Sequence, residues 1–600
     1  MGQTARRPLV NADLLRMRWL DQPRLSADGR RLAYTETWLD DARDEQRTAV
    51  VVDGRQQDGQ LPAWAPDGSA LAYASGEAIF RWTADAAAPV RLAGLGAPVE
   101  ALVWSPGGDG LAALAGGRLW RVPAQPGPAV ALAPTLTALT GLVALGDGSW
   151  CVVQPAAGGA SSALWRVRAD AAPEPLLHFG GPIRAVAAAP DVSALAFIAH
   201  AQGVAPGANF GVHVLDLRAG QVRELTAGWD HCVGLSTRSD DLRGIAPPEL
   251  VWVGAGDAAR LYFLFADGGA SHVARVGLSG RPQPISSGLS ASLAFDVAAG
   301  ADVLAVVVAT ALDPGEVVLC DRDGAGARRV TAANAGWRAE VTLSAHQPLE
   351  VVAGDGTRPQ AWLLRPPHLR PGERAPLLVE IHGGPHYALG ERFSFEFQRL
   401  AARGYAVLFT NPRGSQGYGE DYATAIRGAW GGLDAQDVLA AIEAACALPW
   451  IDAGRVALTG VSYGAWLTHV LIGRSDRFRA AVTENGLSDL RLNFASTQNQ
   501  AFWVWEMRGT PDEVPERYAA LSPVARADDI HTPLLMIHAE QDVNCVIAQS
   551  EVLHEALRAR GRTSALVRIP GEGHLMNLLG TPRHRAQRTE ALDAWLARHL

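Results

Sequence analysis

A serine flanked by glycines is the residue of this 600-residue chain whose surroundings most clearly suggest chemistry. Ser462 is the centre of Gly460-Val461-Ser462-Tyr463-Gly464, between the apolar run RVALT and the helix-like run AWLTHVLI. A sharp turn from a strand into a helix exposes such a serine, and glycines two residues to either side let neighbouring backbone pass closely. The pentapeptide alone also arises by chance in glycine-rich chains. Its placement between a strand and a helix nevertheless predicts that Ser462 is a nucleophile.

A serine hydroxyl needs an adjacent base, and that base needs an acid to orient it. Asp542 follows the apolar segment LLMIHAEQ, and His574 follows ALVRIPGEG, so each lies just beyond a predicted strand. Taken singly they have ordinary interpretations, as a turn aspartate and a solvated loop histidine. Together they follow Ser462 in the order serine, aspartate, histidine that α/β-hydrolases use. The sequence therefore predicts a triad of Ser462, Asp542 and His574.

The segment His382-Gly383-Gly384-Pro385 directly follows the apolar run LLVEI. Small residues there allow backbone N–H groups to approach an oxyanion, and we expect those of Gly384 and Tyr463 to donate to it. The alternative is an ordinary Gly-Gly-Pro turn. His382 and His386 have the i, i+4 spacing of zinc ligands, but the Gly and Pro residues between them exclude the helix that such a site needs. We therefore predict no metal and no other cofactor.

The second half of the chain has the pattern of a parallel sheet that is covered on both faces by helices. Continuous apolar segments begin after about residue 340, and the predicted strands are PLLVEIH at 376, YAVLFTN at 405, RVALTG at 455, AAVTENG at 480, PLLMIHA at 533 and ALVRIPG at 565. Predicted helices include residues 433–448 and 584–600. The expected fold class of this half is an α/β-hydrolase domain with a doubly wound, mostly parallel sheet.

The first half of the chain repeats one phrase, in which a short apolar strand, a turn rich in Asp, Gly and Pro, and a second apolar strand follow each other. Copies begin near residues 23, 62, 102, 142, 185, 250 and 293, and most are roughly 40 residues apart. Small sheets with this period bury their faces only against their neighbours, which is typical of propeller blades. We predict an all-β propeller of about seven blades, with a stacked sandwich as the alternative. The longer step after the fifth copy predicts an outer strand and an inserted loop within residues 224–250.

These two patterns divide the chain into three parts. We expect a β-propeller domain at residues 21–335 and an α/β-hydrolase catalytic domain at residues 336–600. The N-terminal segment, residues 1–20, contains NADLLRMRWL, which we interpret as a helix with Asn11 as its N-cap that packs back on the hydrolase domain.

Composition and charge argue against several classes of protein. The chain is 48% hydrophobic and 19% charged, as expected of a globular protein. Its net charge of −9 is small for this length and is not gathered into runs, which argues against nucleic acid or anionic lipid as a partner. We find no uncharged apolar stretch of about 18 residues for a membrane span, and charged residues interrupt the N-terminus where a signal peptide needs an apolar core. Five widely spaced cysteines favour a reducing, cytoplasmic location.

The chain resembles the prolyl oligopeptidase family (S9) of serine peptidases, in particular its acylaminoacyl-peptidase-like branch. The segments that carry the resemblance follow the family's order and are IHGGPH, TNPRGSQGYGEDY, WGGLDAQDV, GVSYGAW, LLMIHAEQDVNC and IPGEGH. The resemblance implies the same triad and oxyanion donors that the residues themselves predict. It also implies that the propeller caps the active site and restricts entry to short peptides, and that Asn544 holds a backbone carbonyl of the substrate.

The sequence differs from the family's usual motifs at several positions, and these differences bear on which substrates we expect. Ala465 and Ala539 stand where glycines are common. Dipeptidyl peptidases of the family hold the substrate's amino terminus with a glutamate pair, and this propeller sequence has no adjacent pair, although distant acidic groups can converge. We expect the side chain next to the scissile bond to contact Tyr463 and the stretch LRLNFASTQNQAFWVWEM, with Phe494, Trp503 and Trp505 as candidates. Ordinary core packing is the alternative for these aromatic residues.

The sequence thus predicts a serine peptidase that hydrolyses short peptides through an acyl-enzyme, as an acylaminoacyl-peptidase-like exopeptidase or oligopeptidase. A dipeptidyl- or carboxypeptidase-type member of the family, or an esterase, remains an alternative, because acyl transfer to serine uses the same machinery. A non-catalytic propeller interaction protein is the alternative from a different class. No sequence feature fixes an interface, so assembly into a homo-oligomer is left open.

Overall fold

A computed structural model describes residues 6–235, 237–240 and 248–600 of the chain. Its first elements are the short strand β1 (Arg7–Pro8) and a 3-10 helix at Asn11–Arg16. The prediction that Asn11 caps this helix is wrong. Val10 occupies the cap position, and its N–H donates to the Asp13 carboxylate at 2.9 Å, so the acid inside the turn supplies the cap.

Small antiparallel sheets follow, each built from four strands that are consecutive in the chain. Five of them are separate sheets, and their strands are β2–β5 (Trp19–Leu25, Leu32–Asp40, Glu45–Val52, Arg55–Asp58), β6–β9 (Gln60–Trp64, Ala70–Ser75, Ala78–Thr83, Val90–Gly94), β10–β13 (Val99–Trp104, Gly110–Ala115, Arg118–Pro123, Val130–Leu132), β14–β17 (Gly141–Ala144, Trp150–Pro155, Ser162–Val167, Glu174–Phe179) and β18–β21 (Ile183–Ala188, Ala194–Ala199, Gly211–Asp216, Val222–Glu224). Short 3-10 turns lie at Ala157–Gly159 and, beyond the fifth sheet, at Gly256–Ala258.

Two more sets of four strands form one continuous sheet of eight. They are β22–β25 (Leu250–Val253, Arg260–Asp267, Ala270–Gly277, Gln283–Pro284) and β26–β29 (Ala291–Val297, Leu304–Thr310, Asp313–Cys320, Arg328–Arg329), joined by a single parallel pairing of Ser271 with Ala291. The described residues therefore contain seven blades, and the predicted propeller is confirmed. Each of the seven sequence phrases forms the first two strands of one blade.

The Asp-Gly turns explain why the phrase repeats. Gly29, Gly68 and Gly148 have φ values of +68°, +70° and +81°, which side chains other than glycine adopt at a cost. In the second of these turns, the Asp67 carboxylate accepts the N–H of Ser69 at 2.9 Å. The side chain thus closes the turn locally, and the flanking apolar strands are left to pair with each other.

The ring closes by side-chain contact between the first and seventh blades. Leu20 and Leu25 of β2 share a hydrophobic cluster with Ala294 and Val307. The N–H of Leu25 also donates to the Asp296 carboxylate at 2.7 Å. Because each blade takes its four strands consecutively from the chain, the closing contact joins neighbouring blades without an exchanged strand.

A second eight-stranded sheet forms the C-terminal part, in the order β31-β32-β34-β33-β35-β36-β37-β38. A short connection precedes it, formed by α1 (Ala335–Glu340) and β30 (Val341–Thr342). The strands of the sheet are β31 (His346–Leu349), β32 (Gln360–Leu364), β33 (Ala375–Ile381), β34 (Ala406–Asn411), β35 (Ile451–Val461), β36 (Ala480–Glu484), β37 (Leu534–Ala539) and β38 (Ser564–Ile569). The six strands from β33 onwards are parallel and correspond to the six predicted strands.

Helices cover both faces of this sheet. They are α2 (Phe395–Ala402), α3 (Glu420–Thr424), α4 (Leu433–Cys446), α5 (Tyr463–Ile472), α6 (Leu490–Ser496), α7 (Gln500–Met507), α8 (Pro515–Ala520), a 3-10 helix (Pro523–Asp529), α9 (Ala548–Ala559), α10 (Met576–Leu579) and α11 (Pro582–His599). Strand alternation divides the core in two. Leu378 and Val482 pack with α2 and α11, whereas Val379 packs with α4 and α5. The predicted α/β-hydrolase class is confirmed.

The N-terminal segment and the propeller both contact the hydrolase sheet's helices. Leu9, Met17 and Trp19 share a hydrophobic cluster with Phe393 and Phe395 at the start of α2. β1 also pairs in parallel with β30. No helix in the described part of the chain is long and apolar enough to cross a membrane.

Candidate active site

The turn between β35 and α5 places Ser462 at the carboxyl edge of the sheet. Ser462 has φ 59° and ψ −119°, a strained conformation for a residue with a side chain. The glycines on either side are required by space, because a Cβ on Gly464 would lie 1.9 Å from the Ile381 carbonyl oxygen and one on Gly460 would lie 2.5 Å from Gly464. The Ser462 N–H donates to the Glu484 carbonyl at 2.9 Å, which ties the turn to β36.

The structure brings Ser462, His574 and Asp542 into one hydrogen-bonded chain. His574 Nε2 lies 3.1 Å from Ser462 Oγ, and His574 Nδ1 lies 2.6 Å from Asp542 Oδ2. Asp542 follows β37 and His574 follows β38, and the two strands are parallel neighbours. Their carboxyl ends therefore deliver acid and base to the same edge as the serine. This is the spacing that a serine nucleophile with a base and an orienting acid needs.

The second oxygen of Asp542 is held by the backbone. Oδ1 accepts the N–H groups of Asn544 and Cys545, each at 2.8 Å, and the Asp542 side chain is fully buried. His538 at the end of β37 bonds to Ser550 Oγ and to the Cys545 carbonyl, both at 2.7 Å. Burial lowers the pKa of His538. This turn is thus fixed from within, and Oδ2 is left to face His574.

The His382–Pro385 segment runs beside the serine. A Cβ on Gly383 would lie 3.1 Å from the Val461 carbonyl oxygen and 3.5 Å from Ser462 Cβ, so the glycine segment contacts the turn directly. Gly384 has φ +122° and precedes a cis proline, Pro385. Tyr463 is the first residue of α5, so helix geometry provides no acceptor for its N–H. Both predicted oxyanion donors, Gly384 and Tyr463, therefore border the same cavity as Ser462.

The two histidines of this segment serve the fold. His382 Nε2 lies 3.0 Å from Ser415 Oγ, and burial lowers the pKa of His382 to about 4. His386 Nδ1 lies 3.0 Å from the Gly414 carbonyl, and its Nε2 lies 2.5 Å from the Glu506 carboxylate. Each ring is thus engaged in hydrogen bonds with the protein.

A cavity of about 560 Å³ opens above Ser462. Its walls come from the hydrolase helices, from the N-terminal segment at residues 11–15, and from Arg238, Ser239 and Asp240 after the fifth blade. Ser239 Oγ donates to the Phe393 carbonyl at 2.6 Å, and the Asp240 carboxylate accepts the Glu396 N–H at 2.7 Å. The segment predicted as an insertion within residues 224–250 therefore reaches the site, although Ser236 and residues 241–247 lie outside the described residues.

One side of the cavity, the apolar arm, is built from large hydrophobic side chains that belong to the core on the α4 and α5 face. They are Trp430, Tyr463, Leu487, Phe502 and Trp503. The Tyr463 hydroxyl donates to buried Asp434 at 2.5 Å, which fixes the ring against Trp430. A rigid aromatic wall of this kind suits a large apolar group.

Trp503 and Asn544 line the cavity as predicted, but Phe494 and Trp505 do not. Phe494 packs edge-on against Tyr518 in the core. Trp505 is two residues from Trp503 on α7 and so points to the other side of the helix, where its ring packs against His386 and under Arg427. The expectation that Phe494 and Trp505 form pocket walls is therefore corrected, and Phe502 takes their place.

The other side of the cavity, the charged arm, is formed by Asp240, Glu380, Glu396 and Arg588. Arg588 bonds both to Glu396, at 2.6 and 2.8 Å, and to Glu484 at 2.6 Å. Burial alone would raise the pKa of Glu396, but the Arg588 guanidinium outweighs it and lowers that pKa to about 2. Burial, reinforced by the neighbouring carboxylates Glu396 and Glu484, raises the pKa of Glu380 well above its usual value.

Sequence reasoning missed several residues of this site. Trp430 lies in the quoted segment WGGLDAQDV, and its indole N–H donates to Glu506 at 3.0 Å. Cys545 lies beside Asn544 in the segment that carries the triad aspartate, and its side chain is buried against the cavity. Asn485 lies within the predicted strand AAVTENG and directly follows β36, which ends at Glu484. A polar residue at the carboxyl end of a parallel strand is the signal that could have identified it.

Comparison with known proteins begins with a family model. Residues 391–600 match the model described as the prolyl oligopeptidase family. The resemblance stated from the sequence motifs is thus confirmed, and the matched range includes Ser462, Asp542 and His574.

Two relatives extend the likeness. The uncharacterized peptidase YuxL of Bacillus subtilis is 32% identical over 387 residues, which are 64% of this chain and 58% of YuxL. Dipeptidyl-peptidase 5 of Porphyromonas gingivalis is 28% identical over 44% of this chain and 39% of its own length. The aligned part therefore spans less than two thirds of either relative.

Solved structures of related fold cover nearly the whole chain. An acylaminoacyl peptidase of Pyrococcus horikoshii has a TM-score of 0.85 at 21% identity, covering 99% of this chain and 98% of that protein. A puromycin-hydrolyzing peptidase of Mycobacterium tuberculosis has a TM-score of 0.72 at 19% identity, covering 99% and 96%. At these identities the likeness establishes the fold, a propeller followed by an α/β-hydrolase domain.

Proposed function

We propose that the chain is a serine peptidase that hydrolyses short peptides through an acyl-enzyme on Ser462. The observation that carries this proposal is the hydrogen-bonded chain from Ser462 through His574 to Asp542, placed at the floor of a cavity between propeller and hydrolase. The match of residues 391–600 to the prolyl oligopeptidase family model supports the same chemistry. In this proposal, residues 336–600 supply catalysis and residues 21–335 restrict access.

Each of the three residues Ser462, His574 and Asp542 has a role in the proposed reaction. Ser462 Oγ attacks the scissile carbonyl while His574 Nε2 accepts its proton, and the same proton then passes to the leaving amine. Asp542 orients the ring and stabilises the imidazolium. The N–H groups of Gly384 and Tyr463 donate to the oxyanion, where the loss of one donor costs about 3 kcal/mol of barrier. Water then repeats the cycle on the ester and frees Ser462.

The two arms of the cavity suggest how a peptide is held. In the proposal, the apolar arm takes the side chain next to the scissile bond, with Trp503 and Phe502 as its walls. Asn544 donates from its side-chain amide to a substrate carbonyl, because its Oδ1 already accepts the Asn499 amide at 2.9 Å. An acylaminoacyl-peptidase-like release of the N-terminal residue is the first candidate, supported by the shared fold.

A dipeptidyl-peptidase activity is the second candidate, and the charged arm favours it. Asp240, Glu380 and Glu396 come from distant parts of the sequence and converge on the cavity. Arg588 compensates Glu396, whereas within the described part of the chain the Glu380 carboxyl group has no hydrogen bond or ion pair. Carboxylates in this position could receive the free amino group of a peptide. Several relatives carry the name dipeptidyl-peptidase 5.

The experiment compares wild-type protein with Ser462→Ala on matched short peptides that differ only at their ends. One set is N-acetylated, one has a free amino end and one is amidated at the carboxyl end, and products are identified by mass spectrometry. Release of an acetylated amino acid by the wild type alone supports the acylaminoacyl type, and release of a dipeptide supports the second candidate. C-terminal trimming would indicate a carboxypeptidase. No cleavage of any peptide, with p-nitrophenyl esters still hydrolysed, would replace the peptidase proposal with an esterase.

The five cysteines are free, and three of them are buried, which supports the proposed cytoplasmic location. Self-association stays open in this proposal, and sedimentation velocity across protein concentrations measures it.

A further inference from the structure

Asn485 occupies an unusual position beside the triad. It directly follows β36 and is 1% exposed. Its φ of +46° lies in the left-handed region, which asparagine tolerates better than most residues with a side chain. Its own N–H donates to the Ile537 carbonyl at 3.0 Å, which fixes it against β37.

Both polar atoms of the Asn485 side chain are used, and they bond to two different catalytic segments. Oδ1 accepts the N–H of Ala539 at 2.9 Å, and Nδ2 donates to the carbonyl of His574 at 2.8 Å. Ala539 ends β37 and its carbonyl accepts the N–H of Asp542 at 3.3 Å. The amide therefore connects the segment that carries the triad acid to the main chain of the triad base.

The chemistry of the bridge requires an asparagine. One atom must accept a hydrogen bond from an N–H while the other donates to a carbonyl, so a carboxylate or an apolar side chain satisfies at most one partner. The site is buried, which makes an unmet partner costly. Within the described part of the chain, the Asn485 side chain makes no hydrogen bond to the oxyanion segment at residues 382–385. Its effect on the chemistry therefore acts through His574 and Asp542.

We propose that Asn485 is a positioning residue for the triad, one that sets the place of the His574 imidazole between Ser462 and Asp542. This inference rests on the proposed serine chemistry. The His574 ring has to keep two contacts at once, 3.1 Å to Ser462 Oγ and 2.6 Å to Asp542 Oδ2. Holding the His574 main chain to the end of β37 fixes the base relative to the acid.

The test measures Asn485→Ala and Asn485→Asp with p-nitrophenyl esters and a fluorophosphonate that reacts with Ser462. Asn485→Asp keeps an acceptor for Ala539 but turns a carboxylate oxygen towards the His574 carbonyl. We expect kcat to fall about 100-fold in both variants with KM changed less than threefold, because a displacement of about 1 Å in a catalytic group costs about that much. The rate of fluorophosphonate labelling should fall in parallel.

A buried asparagine elsewhere serves as the matched control. Asn334 is fully buried and bonds to both the N–H and the carbonyl of Arg18, outside the cavity lining. We expect Asn334→Asp to lower the melting temperature as much as Asn485→Asp while keeping labelling within threefold of wild type. Equal loss of labelling in both variants would show that Asn485 acts through global stability and would overturn the proposal.

A double-mutant cycle separates positioning from a general effect on the site. In a His574→Ala background, Asn485→Ala should cause no further loss of ester hydrolysis, since its partner in catalysis is already gone. A further loss of tenfold or more in that background, or retention of full kcat by a folded Asn485→Asp, would overturn the inference. Failure of the wild type to react with the fluorophosphonate would instead refute the proposed function itself.

Discussion

Replacing Gly464 with alanine should disable the site with a single methyl group. The new Cβ would lie 1.9 Å from the Ile381 carbonyl oxygen, 2.7 Å from its carbon and 2.8 Å from the His382 carbonyl oxygen. Ordinary carbon–oxygen contacts begin at about 3.3 Å, so the end of β33 and the start of α5 must separate by about 1.4 Å. All three contacts are backbone atoms, which cannot rotate away as a side chain does.

The displacement acts directly on the proposed oxyanion donors. Ile381 ends β33 and Gly384 lies three residues beyond it, whereas Tyr463 starts α5. Moving these elements apart by about 1.4 Å separates two donors that must converge on one oxygen. A misplacement of about 1 Å costs on the order of 100-fold in rate. At 1.36 kcal/mol for each tenfold, that is about 2.7 kcal/mol of barrier.

The assay compares kcat for a p-nitrophenyl ester and the labelling rate with a fluorophosphonate, with circular dichroism melting as the measure of folding. Gly473→Ala is the control, since Gly473 caps the other end of α5 with φ −81° and a Cβ there meets its nearest atom, the His469 carbonyl oxygen, at 3.3 Å. We expect Gly464→Ala to lose at least 100-fold in kcat and Gly473→Ala to stay within threefold. A folded Gly464→Ala protein with kcat within threefold of wild type would refute the reasoning from this contact.

Three further changes test separate features. Asp542→Asn should lower kcat about 10⁴-fold with little change in KM, as measured by ester hydrolysis, because the amide no longer holds the required tautomer of His574; a loss below tenfold would count against the triad. Trp503→Ala should lower kcat/KM at least tenfold more for peptides with a large apolar residue at the scissile bond than for those with alanine, whereas Trp505→Ala should not discriminate between them. Glu380→Gln should raise the melting temperature by an amount that grows as the pH rises from about 4.5. The pKa of the Glu380 carboxyl group is raised in the folded protein, so the folded state keeps a proton that the unfolded chain releases. The protonated carboxyl group therefore contributes to the stability of the wild type at low pH, and this contribution is lost as the pH rises. A pH-independent difference would contradict that assignment.

The parts of the fold that repeat or run continuously could be predicted from the sequence. The seven phrases predicted the blades because each places a short turn rich in Asp, Gly and Pro between two apolar strands, and in three of them an Asp-Gly turn puts glycine where φ is positive. The six parallel strands were visible because both faces are buried and their residues are apolar throughout. The antiparallel strands β31 and β32 were missed, since HQPL and QAWLL are short, partly polar and not followed by a helix.

The site was predictable where chemistry dictates order along the chain, and less so where it depends on orientation. Ser462, Asp542 and His574 each follow a strand, so topology alone brings them to one edge. Trp503 and Trp505 were indistinguishable in sequence, but a helix turns about 200° over two residues and sends their rings to opposite sides. Asp240, Glu380, Glu396 and Arg588 were not predictable as a group, because each resembles an ordinary charged residue until the fold joins them.

Strand alternation separates the two arms of the cavity. Glu380 follows Leu378 at an interval of two on β33 and therefore lies on the α2 and α11 face, where Phe397 and Leu592 pack. Trp503 and Tyr463 belong to the core of the opposite face. Ser462 lies at the sheet edge between them, so apolar contacts and charged contacts approach the scissile bond from different sides. Substitutions in the two arms share no partner, and their effects on kcat/KM should therefore add when Trp503→Ala and Glu380→Gln are combined.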